Sequence, residues 1–164
     1  MIPTRVYLDT CVLGELVSKP GSSKRKAVEN IIKLACEGQI KVFTSKYVKD
    51  EIEESPENIR NTLLRLLSEL PHKAVVENEE ILYLAKRYSK EIGLTRLDAF
   101  HVAVAVANAL DVFLSFNRRT IINKKVAKKL KRFNESMGYK TPMLLTPDEF
   151  SEKVNKEKGH RRKK

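Results

Sequence analysis

The chain switches repeatedly between two spacings of apolar residues. Residues 5–8 form a short, β-rich apolar run that ends at the charge of Asp9, which predicts a first strand. A helical stretch over 12–17 follows and breaks at Lys19-Pro20-Gly21-Ser22. Residues 24–36 carry Ala27, Ile31, Leu34 and Ala35 at helical spacing, and Gly38 stops them. Residues 41–44 read as a second strand, after which Ser45 can cap a helix with Val48 and Ile52 on one face. Ser55-Pro56 opens another helix, with proline expected at the first helical position. Its apolar stripe is Ile59, Leu63, Leu66, Leu67 and Leu70, and Pro71 ends it.

The second half repeats the alternation. Residues 74–76 read as a short strand, and Asn78 caps a helix over 79–92 closed by Gly93. Thr95 caps the next helix, which is expected to reach about residue 110. Residues 112–115 form a strand, 121–137 a basic helix ending at Gly138, and 144–145 a last short strand. Thr146-Pro147-Asp148-Glu149 then opens a final helix. Strands alternating with helices imply an α/β fold, three layers α/β/α around a central, mostly parallel sheet in the Rossmann-like manner. No repeat or internal linker interrupts it, so residues 1–155 read as one domain. The like charges and Gly159 of residues 156–164 predict a basic, flexible tail.

Charge sharpens this picture. The 32 Lys and Arg exceed the 21 Asp and Glu, for a net +11. Lys and Glu enrichment also marks heat-adapted surfaces, but those intersperse the two signs. Here Arg118, Arg119, Lys124, Lys125, Lys128, Lys129, Lys131 and Arg132 follow one another without an acid among them. Segregation of that kind favours a polyanionic partner, nucleic acid first. No apolar run reaches the ~18 residues that cross a bilayer, and the start of the chain lacks a signal-peptide pattern, so a cytoplasmic location is expected. Cys11 and Cys36 have no metal-site spacing and read as two small buried hydrophobes.

The candidate chemistry lies in the carboxylates. In an open parallel sheet, ligands bind beyond the carboxyl ends of the strands. Asp9 stands directly after the strand Val6-Tyr7-Leu8, either as a site acid or as a loop or cap aspartate. Asp98 opens the stretch AFHVAVAVANA, which has no formal charge and so predicts a helix buried on nearly all sides. It completes a capping box with Thr95, and the helix dipole also favours an ionised carboxylate there, so both roles stand together. Glu51 lies in the charge run 49–54, one turn from Tyr47 and at the edge of an apolar stripe. That places it nearer the protein body than Asp50 or Glu54. Asn117 follows a strand by two residues, as a turn asparagine or a site residue. His101 reads as a hydrogen-bonded core histidine, and His72 and His160 as surface residues.

Four segments, in order, resemble the PIN-domain family, and within it the VapC-like toxin ribonucleases. They are Tyr7-Leu8-Asp9-Thr10-Cys11-Val12-Leu13, Ser45-Lys46-Tyr47-Val48-Lys49-Asp50-Glu51-Ile52, Leu97-Asp98-Ala99-Phe100-His101-Val102-Ala103 and Leu114-Ser115-Phe116-Asn117. Ile121-Ile122-Asn123 and Leu145-Thr146-Pro147-Asp148-Glu149-Phe150 are also similar to this branch. The resemblance spans about residues 5–150. Two positions depart from it: Ser115 stands where threonine is commoner, and Asn117 where many members have aspartate.

The resemblance implies a PIN-like fold and a metal-dependent endoribonuclease that leaves a 5′-phosphate and a 3′-hydroxyl. Asp9, Glu51, Asp98 and Asn117 would form its catalytic set. Asp9 and Asp98 would be the primary ligands of Mg²⁺ or Mn²⁺, with Glu51 completing the acidic cluster, since hard cations take oxygen ligands. Thr10 would support the site by hydrogen bonding. Arg118, Arg119 and Lys124 would hold RNA phosphates against the repulsion of the carboxylates. A toxin of this branch would be a homodimer inhibited by an antitoxin protein.

Rival readings are a non-catalytic RNA-binding or scaffold protein on the same fold, and a housekeeping RNA-processing nuclease. A phosphotransferase with Asp9 as nucleophile would need an acid where Cys11 stands, and a dinucleotide-binding enzyme would need a glycine-rich loop that residues 9–13 lack.

Overall fold

The computed structural model describes residues 2–162. Five strands form one sheet: β1 (Thr4–Leu8), β2 (Ile40–Ser45), β3 (Lys73–Val75), β4 (Val112–Leu114) and β5 (Met143–Leu145), in the order β3-β2-β1-β4-β5. Every pairing is parallel; Tyr7 faces Phe43 on one side and Phe113 on the other. From β1 the chain builds outward through β2 and β3, then returns to lay β4 along the opposite edge of β1. The strand order therefore reverses beside β1, at the kind of switch point where open α/β sheets bind ligands.

Helices α1 (Thr10–Gly14), α2 (Ser23–Cys36), α3 (Lys46–Glu53), α4 (Glu57–Glu69), α5 (Glu79–Glu91), α6 (Arg96–Ala107), α7 (Lys124–Met137) and α8 (Pro147–Arg162) connect the strands. A single 3₁₀ turn over Glu15–Val17 extends α1. Side chains alternate across each strand. Tyr7 turns to the face covered by α6, whose His101 it touches, and α5 packs along α6 outside it. Thr4 and Ile40 point the other way and share a cavity with Leu34 of α2 and Phe150 of α8. The sheet is thus the middle of three layers. Helix α6 has Ala99 and His101 through Val106 all buried, because the sheet takes one side of it and α5 another. The uncharged stretch predicted this burial.

Local signals set the helix starts. The side chains of Ser22, Ser45, Asn78, Thr95 and Asn123 each accept a backbone N–H in the first turn that follows. Gly93 at φ +84° closes α5, and Gly138 at φ +78° ends α7 in a left-handed cap that a side chain would strain.

Several boundaries differ from the sequence reading. Pro56 stands just before α4, at its cap, rather than inside its first turn. Helix α6 stops at Ala107, and α7 starts at Lys124 rather than residue 121. Ile121 and Ile122 instead anchor a loop by burial in the core. Helix α8 runs through Arg162, so the chain is helical over 156–162, where like charges predicted a flexible tail; Lys163 and Lys164 lie outside the described residues. Its start is a capping box in which Glu149 accepts from the Thr146 backbone N–H and the Thr146 hydroxyl accepts from Glu149 N–H. Cys11 and Cys36 are free cysteines at exposed positions, one in the first turn of α1 and the other at the last turn of α2, but the Cys11 thiol turns in against Asp9 and Ser115, where burial pushes its pKa up to about 12.

Candidate metal and phosphodiester site

Asp9 leaves β1 at its carboxyl end, where its backbone N–H donates to Leu114 O of β4 at 3.1 Å. This bond continues the parallel pairing by one residue and brings Ser115, the next residue after β4, beside Asp9. The Ser115 hydroxyl donates to Asp9 Oδ2 at 2.8 Å, and Thr10 N–H donates to Asp9 Oδ1 at 2.8 Å. Asp9 is only 7% exposed. Such burial is tolerable because each oxygen has a donor.

Glu51, from α3, reaches the same point. Its Oε1 accepts the Thr10 hydroxyl at 2.7 Å and His101 Nε2–H at 2.5 Å. His101 Nε2 also stands 3.6 Å from Asp9 Oδ1. Asp9, Glu51 and His101 each present a ligand atom within 4.8 Å of the others. Among the described residues Glu51 Oε2 receives no hydrogen bond, so one oxygen of this carboxylate remains open.

His101 is 1% exposed and bonded at both nitrogens. Its Nδ1 lies 2.6 Å from the Tyr7 hydroxyl, which lies 2.8 Å from Ser45 Oγ; Ser45 Oγ in turn accepts Tyr47 N–H. Burial works to lower the His101 pKa. The hydrogen bond to Glu51 and the negative charges of Asp9, Glu51 and Asp98 outweigh it and hold the imidazole above its ordinary 6.5. Burial likewise works to raise Glu51. The His101 hydrogen bond and charge, with the Thr10 hydroxyl, hold it below its ordinary 4.5. Burial keeps the Tyr7 phenol protonated, well above its ordinary 10.0.

Asp98 stands in the first turn of α6 as expected, but outside the tight group. Its backbone N–H is capped by Thr95, and its Oδ2 accepts the Thr120 hydroxyl at 2.9 Å. Asn117 organises the loop after β4: its N–H donates to Ser115 Oγ, and its Oδ1 accepts Thr120 N–H at 3.2 Å. Thr120 thus ties Asn117 to Asp98. Arg118 forms an ion pair with Glu149 at 3.6 Å while its side chain stays 64% exposed. Arg119 and Lys124 are exposed at the start of the basic segment.

The geometry therefore gathers Asp9, Glu51 and Thr10, and adds residues that sequence reasoning assigned elsewhere or left unassigned: His101, Ser115, Thr120 and Tyr7. One sequence signal was at hand for His101, its position one turn after Asp98 on the same helix face. Nothing local pointed to Tyr7, whose apolar strand context hides a hydroxyl.

Comparison with known proteins identifies the family and the fold. The profile of the PIN domain matches residues 6–129, and the chain belongs to the PIN domain family. Two solved structures share its fold. One is described as VapBC2 from Rickettsia felis bound to a DNA fragment from their promoter: TM-score 0.58, 12% identity, covering 87% of this chain and 98% of that one. The other is a toxin–antitoxin complex from Klebsiella pneumoniae: TM-score 0.59, 14% identity, covering 87% of this chain and 97% of that one. No curated protein matches the chain. Among the described residues no helix is long and apolar enough to cross a membrane.

Proposed function

We propose that the protein is a metal-dependent endoribonuclease, with Asp9, Glu51, Asp98 and Asn117 as its catalytic set. The observation that carries this reading is the meeting of Asp9 and Glu51, with His101 between them, at the carboxyl ends of β1 and β4. The donor set suits a hard divalent cation, Mg²⁺ or Mn²⁺. Glu51 Oε2 is open, and Asp98 has one oxygen outside its bond to Thr120. Asp9, Glu51 and Asp98 would hold the ion, which when bound supplies a Lewis acid for phosphate charge and lowers the pKa of its water.

The chain's own residues prepare that chemistry. Ser115 and the Thr10 N–H fix the two oxygens of Asp9. Thr10 and His101 hold Glu51 through Oε1 and leave Oε2 without a donor among the described residues, free for water or ligand. Thr120 aims Asp98, and the Asn117 side-chain amide N–H group remains to orient water or a phosphate oxygen. Arg118, Arg119 and Lys124 bind RNA phosphates and offset the carboxylate charge.

The toxin of a cytoplasmic toxin–antitoxin pair, homodimeric and bound by an antitoxin protein, is the finer reading. Support for it comes from the four sequence segments together with solved neighbours that are themselves toxin–antitoxin assemblies. Residues 1–155 carry the nuclease in this reading.

The test is cleavage of pooled cellular RNA by the purified protein with Mg²⁺ or Mn²⁺. Cleavage lost both with EDTA and in Asp98→Asn is the expected result. No cleavage by folded protein free of any inhibitor would sink the nuclease reading in favour of a non-catalytic RNA-binding protein. Overexpression that leaves growth unaffected would count against the toxin role.

A further inference from the structure

A second basic feature lies one residue away from Asp98. Between the turn that follows α5 and the start of α7 the surface folds into a cavity of about 230 Å³. That is below the ~300–1,000 Å³ of pockets that enclose drug-sized ligands. Its floor is apolar, with Leu94 and Val126 buried. Its rim carries Arg119, Lys125 and Lys129, and no Asp or Glu lines it. Lys125 and Lys129 are one helical turn apart on α7 and so project side by side. None of the three cations has an ion-pair partner among the described residues, whereas Arg118 pairs with Glu149 and Lys131 with Glu135.

The cavity is also held in a fixed relation to the site. Thr120 forms part of its wall and donates to Asp98 Oδ2. The loop carrying Arg119 is pinned at both ends. Ile121 and Ile122 N–H groups donate to Asn117 O, and the Asn123 side-chain amide donates to the carbonyls of Arg118 and Arg119. Three uncompensated cations around a small cavity repel one another, and an anion seated there relieves the repulsion.

We infer that this cavity is a phosphate subsite that seats a backbone phosphate of single-stranded RNA flanking the bond to be cut, held by Arg119, Lys125 and Lys129. The inference rests on the ribonuclease reading and adds to it the direction of the bound strand, from the carboxylates past Thr120 toward the first turns of α7. Lys125 and Lys129 then act in RNA affinity and register without touching the reacting atoms.

The experiment is binding of a labelled single-stranded RNA oligonucleotide in EDTA, which blocks cleavage, across a range of salt concentrations. Lys125→Ala with Lys129→Ala is compared with Lys156→Ala with Lys158→Ala. The second pair removes the same charge from the half of α8 that lies by the amino ends of β1 and β2, away from the site. All four lysines are exposed, so both variants should fold, as circular dichroism would verify. The cavity variant should lose several-fold in affinity at low salt. Its salt slope should fall by about 0.7 for the one phosphate released. The α8 variant should keep the parent slope. Equal behaviour of the two variants, with the parent protein binding and cleaving RNA normally, overturns the subsite and leaves the nuclease reading standing. A parent protein that neither binds nor cleaves RNA overturns both.

Discussion

The Tyr7 hydroxyl lies 2.6 Å from His101 Nδ1, so a strand residue with no exposed surface fixes the ring whose other nitrogen meets Glu51. Nε2–H donates to the carboxylate whether the imidazole is neutral or charged. A hydroxyl can satisfy Nδ1 in either state, by donating to it or by accepting from it. The candidate site is thereby connected to the middle of the core.

Removing that hydroxyl should be costly. Tyr7→Phe keeps the ring stacked on Phe113 but leaves His101 Nδ1 and Ser45 Oγ without a shared partner in a dry interior. A loss of about 1–3 kcal/mol is expected from denaturant unfolding. A loss below about 0.5 kcal/mol would mean that these bonds carry no weight or that water replaces the hydroxyl.

The His101–Glu51 pair gives the metal-free protein a pH profile with a defined sign. The His101 pKa is held above 6.5, so its contribution is complete below 6.5 and fades as pH rises through the folded value. The Glu51 pKa is held below 4.5, so its contribution is complete above 4.5 and fades as pH falls through the folded value. Unfolding measured in EDTA should show both contributions in full between pH 4.5 and 6.5, with a decline on the alkaline side that His101→Gln removes. The same alkaline decline in parent and variant would refute the assignment.

Ser115 supports Asp9 from behind. Ser115→Ala removes the hydroxyl donor to Oδ2, leaving it only the weaker Cys11 thiol at 3.5 Å, and also removes the acceptor of Asn117 N–H. Divalent-ion affinity should fall by roughly 10–100-fold in calorimetric titration, the usual cost of losing a group that orients a ligand. Ser115→Thr should restore it, because the hydroxyl returns. Unchanged affinity in the alanine variant would show that Asp9 needs no such support.

Arg118 and Arg119 should separate in their effects. Arg118 is already paired with Glu149 at the surface, while Arg119 faces the basic cavity without a partner among the described residues. Arg119→Ala should lower the RNA salt slope by about 0.7, and Arg118→Ala by less. If the double variant leaves RNA affinity and slope untouched, neither residue binds phosphate.

Much of the fold was legible along the chain because its signals are short-range. A cap needs only two or three residues, as at Ser45, Asn78 and Thr95, and an amphipathic stripe repeats within one helix. Residues 121–123 were misread for the same reason. Apolar residues and lysines at helical spacing look alike whether the first turn is helical or a loop anchored by Ile121 and Ile122, and the Asn123 cap decided between them. Asp9, Glu51 and Asp98 could likewise be picked out as acids beside buried elements.

Their partners could not, because those bonds depend on how the strands pair. Laying β4 against β1 joins Ser115 to Asp9 across 106 positions, and packing α6 on the sheet joins His101 to Glu51 across 50 and to Tyr7 across 94. The same packing tied Asp98 to Thr120 rather than to the other two acids, and gave Arg118 an ion-pair partner in Glu149 while giving Arg119 none among the described residues. Sequence by itself determined which elements form and which side chains carry charge, since local backbone and solvent preferences suffice for that. Only the tertiary structure decided which of those charges meet, because a hydrogen bond or ion pair is set by ångström distances between segments that the chain order keeps far apart.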